Sequence, residues 1–287
     1  MAKIDKYSIL DFRQDFPNHD TCLQYLFDRQ HSRLCSCGGK YERIKGRQQF
    51  QCSKCRFQIA PKAGTIFEKS VTPLTSWFHA IWLFSNAKTG MSAKELERQL
   101  GVTYKCAWRI LKLIRQSLTQ NTDKLTGDVE MDETYFGGHK KGGRYNKNQS
   151  QVMKSKTAIV GAVERKGVVK ADVTANLSAD TLGVFLDKNV SAKNTRLLTD
   201  ESNRYDSVAW HYNRQKVNHK REEWARGDVH TNTIEGFWSH VKRSIDGTHK
   251  AISRKYLASY LDGFVWHYNN RGNDRARFAS LLTVLAG

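Results

Sequence analysis

Residues 127–138 read GDVEMDETYFGG, and their pattern decides the fold. Side chains alternate along an extended chain, so Asp128, Glu130 and Asp132 share one face of a short strand. The next stretch, residues 137–156, is Gly-rich and holds six Lys or Arg and no acid. TAIVGAVERKGVVKADVT, residues 157–174, then reads as a β-hairpin turning at Arg165, Lys166 and Gly167. SADTLGVFLDKNV, residues 178–190, reads as a helix. RLLTDESNRY, residues 196–205, sets Asp200 directly after a short apolar strand. TNTIEGFWSHVKRSI, residues 231–245, reads as a helix with Asn232 near its start and Glu235 in its first turns. Strand, hairpin, helix, strand, helix is an α/β order: a mixed sheet flanked by helices, with acids emerging at strand ends where ligands collect.

Within the last of these helices Ile234, Phe237, Trp238 and Val241 form an apolar stripe, which assigns Trp238 to the core. His230 and Asn232 are expected to cap it. A further helix in residues 254–272 spaces Leu257, Leu261, Phe264, Val265 and Tyr268 for packing over the sheet.

Upstream, LTSWFHAIWLFSN at residues 74–86 reads as a buried aromatic helix. Ser92 with Glu95 gives a capping signal, Gly101 offers a turn, and Thr103 caps a following helix over YKCAWRILKLIRQSL. On that second helix Cys106, Ile110, Leu113 and Ile114 keep a helical period, while Lys105, Arg109, Lys112 and Arg115 form a basic stripe suited to phosphates or a major groove. Further upstream, LCSCGGKYERIKGRQQFQCSKCRF at residues 34–57 holds two cysteine pairs joined by a hairpin-like segment. Four thiolates at tetrahedral reach bind one structural Zn²⁺ well, which makes Cys35, Cys37, Cys52 and Cys55 the candidate ligands. The first pair has one intervening residue instead of two, so His31 or Cys22 stands as a substitute ligand.

The 287 residues carry 47 Lys plus Arg against 28 Asp plus Glu, a net charge of +19, so a polyanionic partner is expected. Residues 1–127 hold 21 basic and 10 acidic side chains, +11, and the remainder 26 and 18, +8, so both parts can touch such a partner. A hydrophobic share of 39% excludes a mainly disordered chain. No apolar run reaches the roughly 18 residues of a membrane span, and no signal peptide is legible, so no membrane is expected as a partner and the protein should stay in the cytoplasm.

Acids at two strand ends and on one helix make a plausible cage for hard divalent cations, although 28 acids allow many triplets. Four stretches select among them: QCSKCRFQIAPKAGTIFEKS, VEMDETYFGG, LLTDESNRY and HTNTIEGFWSHVKR. Together, and in that order, they resemble insertion-sequence DDE transposases of the branch with an N-terminal zinc ribbon and helix-turn-helix ahead of an integrase-type, ribonuclease-H-like catalytic domain. The resemblance implies a zinc-ribbon segment over residues 1–66, a helix-turn-helix region over 67–126 and the catalytic domain over 127–287. It places the catalytic acids at Asp132, Asp200 and Glu235, in preference to Asp128, Glu130, Glu133 and Glu201. Those three would hold two Mg²⁺ or Mn²⁺ ions for cleavage at element ends and strand transfer of the 3′-hydroxyl into target DNA. Lys242 falls seven residues after Glu235, where the family often has a basic residue near donor DNA. Arg243 beside it, and Lys140, Lys141 and Arg144 of the basic stretch, complete the expected DNA contacts. The implied partners are double-stranded DNA, as terminal inverted repeats and as target, and further copies of the chain in a dimer or larger assembly on the nucleoid. Two other readings share these features: a catalytically silent DNA-binding derivative of a transposase, and a structure-specific nuclease.

Overall fold

The structure, a computed structural model, describes residues 6–118, 122–137, 156–217 and 225–287. Its contacts divide the chain into two compact units, Met1–Ser117 with Asn270–Gly287, and Leu118–Asn269.

The first unit begins with α1 (Ile9–Asp15) and α2 (His19–Gln30), followed by the antiparallel ribbon β1 (Tyr41–Arg43), β2 (Phe50–Cys52) and β3 (Gln58–Ile59). Phe50 of the ribbon stacks on Phe27 of α2 with ring centroids 4.2 Å apart, which anchors this small sheet to a helix. Next comes α3 (Leu74–Asn86), whose Trp77, Phe78, Ile81 and Phe84 are buried as its aromatic pattern predicts. The side chain of Ser92 caps α4 (Ala93–Leu100) by accepting the Glu95 N–H at 3.1 Å. Gly101 ends α4 at φ 64°, a left-handed position that favours glycine. Thr103 then caps α5 (Tyr104–Gln116), which buries Ala107, Ile110, Leu111 and Ile114.

Lys105 and Arg109 are exposed on α5, and the Lys112 ammonium lies 5.4 Å from the Trp108 ring centre. Arg115, read from sequence as the fourth member of this stripe, is only 4% exposed. A helix turns once in about 3.6 residues, so ten positions beyond Lys105 the chain has rotated off the face of Arg109 and Lys112. Arg115 therefore leaves the candidate contact set.

The second unit is built on a five-stranded sheet: β4 (Leu125–Phe136), β5 (Thr157–Glu164), β6 (Val169–Thr174), β7 (Val190–Thr199) and β8 (Asn213–Lys216). Its order is β6-β5-β4-β7-β8, antiparallel across the first three strands and parallel for β7 against β4 and β8. This is the ribonuclease-H-like mixed sheet that the resemblance implies. One face packs on α6 (Ala179–Asn189) through Val129, Met131, Val160, Leu182 and Leu186. The other packs on α7 (Asn232–Ser244) and α8 (Leu257–Asn269) through Ile159, Val163, Phe237, Trp238 and Phe264. Both faces of β5 are thus buried, with Ala158, Val160 and Ala162 on one side and Ile159 and Val163 on the other. Lys140, Lys141 and Arg144 lie outside the described residues.

One boundary differs from the sequence expectation. The chain after Asn269 belongs to the first unit, not to the sheet, because α9 (Asp274–Ala286) buries Phe278, Leu281, Leu282 and Leu285 there. Phe278 stacks on Tyr7 at 5.2 Å, and the buried Arg277 donates from Nη1 to the Ser85 carbonyl at 3.0 Å, tying α9 to the end of α3.

Candidate active site

β4 and β7 run parallel with a constant offset, Asp128 opposite Arg196, Val129 opposite Leu197 and Glu130 opposite Leu198. Carried two residues on, that offset brings Asp200, the first residue past β7, level with Asp132 on a strand about 5 Å away. Glu235 arrives from the helix above. Gly161 pairs with Asp132 across β5 and β4, and a Cβ on Gly161 would sit 2.6 Å from Trp238 Cζ2. The bare backbone there lets α7 settle close to the sheet, with Glu235 in its first turn.

Burial pushes the Asp132 carboxyl up to about 7; a hydrogen bond from the Glu133 backbone opposes this, and the charges of Glu133, Asp200 and Glu235 add to it. Asp132 thus feels both Asp200 and Glu235. Carboxylate oxygens of this kind suit a hard divalent cation such as Mg²⁺ or Mn²⁺. Asp200 accepts the Ser202 N–H on Oδ1 at 3.0 Å, and Glu235 accepts the Thr231 hydroxyl on Oε1 at 2.6 Å.

The other acids of β4 are engaged elsewhere. Asp128 forms a two-pronged pair with Arg196 of β7, at 2.8 and 2.7 Å, and that guanidinium holds its carboxyl below the usual range. Glu133 points to the opposite face, where it accepts from the buried Tyr205 hydroxyl and from Arg204 Nη1 at 3.2 Å; burial raises its pKa. Glu130 is fully buried and takes Arg165 Nε at 2.7 Å. Arg165 also donates to the carbonyls of Asp228 at 2.7 Å and His230 at 2.9 Å, and to His230 Nδ1 at 2.9 Å. The same Nδ1 lies 3.3 Å from Glu130 Oε1.

In the first unit, the four sulfurs of Cys35, Cys37, Cys52 and Cys55 lie within 4.8 Å of one another, with Cys35 to Cys55 at 3.6 Å and Cys37 to Cys52 at 3.4 Å. Tetrahedral Zn–S bonds of about 2.3 Å require S···S separations of roughly 3.8 Å, so the cluster fits one zinc ion. Hydrogen bonds from the Cys37 backbone and the Tyr41 hydroxyl pull the Cys35 thiol down, while side-chain hydrogen bonds with Cys37 and Cys52 push that of Cys55 up, so the metal-free sulfurs do not ionise as one. The short first pair is accommodated by Gly39, where a Cβ would stand 2.5 Å from Cys52 Sγ. Neither substitute ligand belongs to the cluster: Cys22 is buried in α2, its thiol pushed up to about 12 by burial, and the His31 ring lies 5.5 Å from Phe27.

Residues 124–269, just over half of the chain and all five strands of the sheet, match the ISXO2-like transposase domain. The chain belongs to the ISXO2-like transposase family. A Halobacterium salinarum protein, described as an uncharacterized protein in transposable element ISH50, is 25% identical over 229 residues, covering 76% of this chain and 77% of that one. Among solved structures, a chain of the Mos1 strand transfer complex is 12% identical with a TM-score of 0.32, covering 72% of this chain and 74% of that one. A chain of a simian T-cell lymphotropic virus intasome with PP2A regulatory subunit B56 gamma is 14% identical with a TM-score of 0.30, covering 68% and 67%.

In this transposase Lys242 and Arg243 are exposed near the end of α7. His230 and Asn232 do not cap that helix, since Asn232 is its exposed first residue and the N-cap, Thr231, makes no side-chain capping bond. Three arginines that sequence reasoning missed organise the site: Arg165, Arg196 and Arg214. Arg214, on β8, donates from Nη2 to the Asp200 carbonyl at 3.1 Å and from Nε to Thr199 Oγ1 at 2.9 Å, holding the turn that carries Asp200. No periodicity marks such residues; each is a basic side chain in a basic protein until its acceptors are known.

Proposed function

We propose that this transposase is a DDE enzyme in which Asp132, Asp200 and Glu235 hold two divalent cations, Mg²⁺ or Mn²⁺, beside a DNA strand. Bound there, such ions activate an attacking oxygen and stabilise the departing oxygen of a phosphodiester. Asp132 and Asp200 contribute from adjacent strands, and Glu235 from the helix packed above them. Water attacks the phosphodiester at an element end and frees a 3′-hydroxyl. That hydroxyl then attacks target DNA, joining its oxygen to the target phosphorus and expelling the target 3′-oxygen, with no covalent protein intermediate.

Lys242 shares a face with Glu235 about 10 Å along α7, within reach of the donor backbone, with Arg243 adjacent. Lys105, Arg109 and Lys112 of α5 engage duplex DNA as the second helix of a helix-turn-helix. One structural zinc bound by Cys35, Cys37, Cys52 and Cys55 completes the ribbon. Because two element ends must meet, the working form is a dimer or larger assembly on DNA, with the terminal inverted repeats and the target as its ligands.

What carries this reading is the β4–β7 register, which extended two residues sets Asp200 level with Asp132, together with the rise of the Asp132 pKa through burial and the charges of Asp200 and Glu235. The test incubates wild type and Asp200→Asn with Mn²⁺ and the DNA flanking the gene. Nicking by wild type alone is expected. Nicking by both proteins, or binding without nicking by either, overturns the catalytic assignment.

A further inference from the structure

We infer that Glu130 is a positioning residue that sets Glu235 in place by capping α7 from another strand. The inference rests on the reading of Glu235 as a metal ligand. Glu130 stands two residues before Asp132 on the same face of β4, with no exposed side-chain surface. A buried carboxylate is tolerated only when its oxygens are fully used. Here Oε1 accepts from Arg165 Nε at 2.7 Å and the Thr233 hydroxyl at 2.9 Å, and Oε2 from the N–H groups of Thr233 at 2.7 Å and Ile234 at 3.0 Å. Four donors fill the roughly four acceptor sites of a carboxylate, so Glu130 has none left for a cation despite its place beside Asp132.

The two N–H groups belong to the first turn of α7, where a helix has donors without internal partners. A capping side chain at Thr231 would ordinarily serve them, but its hydroxyl is turned to Glu235 instead. Glu130 takes over that task and places a negative charge at the positive end of the helix. Arg165 joins the cap to the carbonyls of Asp228 and His230, and Arg196 joins Asp228 to Asp128 by donating from Nη2 to their carboxylates at 2.5 and 2.7 Å. The approach to α7 is therefore stapled to β4, β7 and the β5–β6 turn. Glu235 follows Ile234 directly, so a tilt of this turn moves its carboxylate away from Asp132.

Mn²⁺ binding by calorimetry and amide hydrogen exchange test the proposal on the full chain. Glu130→Gln should weaken Mn²⁺ binding roughly ten- to a hundredfold, the range for partners that orient metal ligands, and speed exchange at Thr233 and Ile234. In a Glu235→Gln background the same substitution should produce no further loss, which a general loosening of the fold would not reproduce. If Glu130→Gln fails to fold, Arg165→Lys carries the test, since it keeps the charge but loses the fork that bridges Glu130 to the Asp228 and His230 carbonyls. Wild-type Mn²⁺ affinity in the folded variant, or an undiminished loss in the Glu235→Gln background, overturns the positioning role alone. Unchanged affinity in Glu235→Gln by itself instead overturns the DDE assignment on which the role depends.

Discussion

Four acids on one strand, Asp128, Glu130, Asp132 and Glu133, have four different fates, and their partners decide which one is left for chemistry. Asp128 and Glu130 are neutralised by Arg196 and Arg165, and Glu133 is turned to the far face by Tyr205. Asp132 lies among acids and half out of water, so its pKa rises from the ordinary 3.8 to about 7. The folded state then binds that proton more tightly than the unfolded chain does. Between those two values stability falls as pH rises, and above about 7 the full penalty of the buried charge is present. Asp132→Asn removes the penalty. In melts of the metal-free protein it should exceed wild type by about 1–3 kcal/mol at pH 8, with the advantage gone near pH 4, while nicking is lost. An advantage of equal size at both pH values would show that desolvation of Asp132 is not its source.

At the scale of elements, the close seating of α7 on β5 depends on one missing side chain. Gly161→Ala puts a methyl group 2.6 Å from Trp238 Cζ2 and 3.3 Å from the Lys170 carbonyl, and a ring packed in the core has little room to yield. Overpacking of this kind costs about 1–3 kcal/mol, and it lifts the helix that carries Glu235. A lower melting temperature and reduced nicking are expected together, with both partly restored when Trp238→Phe shortens the opposing ring; an unaffected Gly161→Ala protein would show that α7 does not seat on this glycine. The sequence announces α7 through the stripe of Ile234, Phe237, Trp238 and Val241, and β5 and β6 through their alternation around the turn at Arg165. Legibility fails where an element is held by backbone or by distant charge. β8, Asn213–Lys216, reads NRQK, with no apolar period, and forms by parallel pairing along the edge of β7. The capping of α7 is equally silent, because its donor acceptor pair is a hundred residues apart in sequence. Spacing alone could name Asp132, Asp200 and Glu235 as one triplet among many; strand register and helix seating are what bring them into one electrostatic neighbourhood.

Over the whole molecule the net charge of +19 sets the strength of attraction to a polyanion but not where contact is made. Exposure separates the candidates. Lys105 and Arg109 stand in solvent on α5, Lys112 lies over the Trp108 ring, and Arg115 is 4% exposed. A phosphate contact releases condensed counterions, so each one lost lowers the slope of log affinity against log salt by about 0.9 on duplex DNA. Arg109→Gln with Lys112→Gln should therefore weaken binding and flatten that slope by about 1.8 if both side chains meet phosphates. Arg115→Gln should leave the slope unchanged and lower the melting temperature instead, because the side chain it replaces is buried. Arg109 and Arg115 carry the same side chain and differ in where the helix turns them. Titrations at two salt concentrations, paired with melting curves, separate the roles; an equal change of slope for Arg109→Gln and Arg115→Gln would place the DNA on another face of the protein.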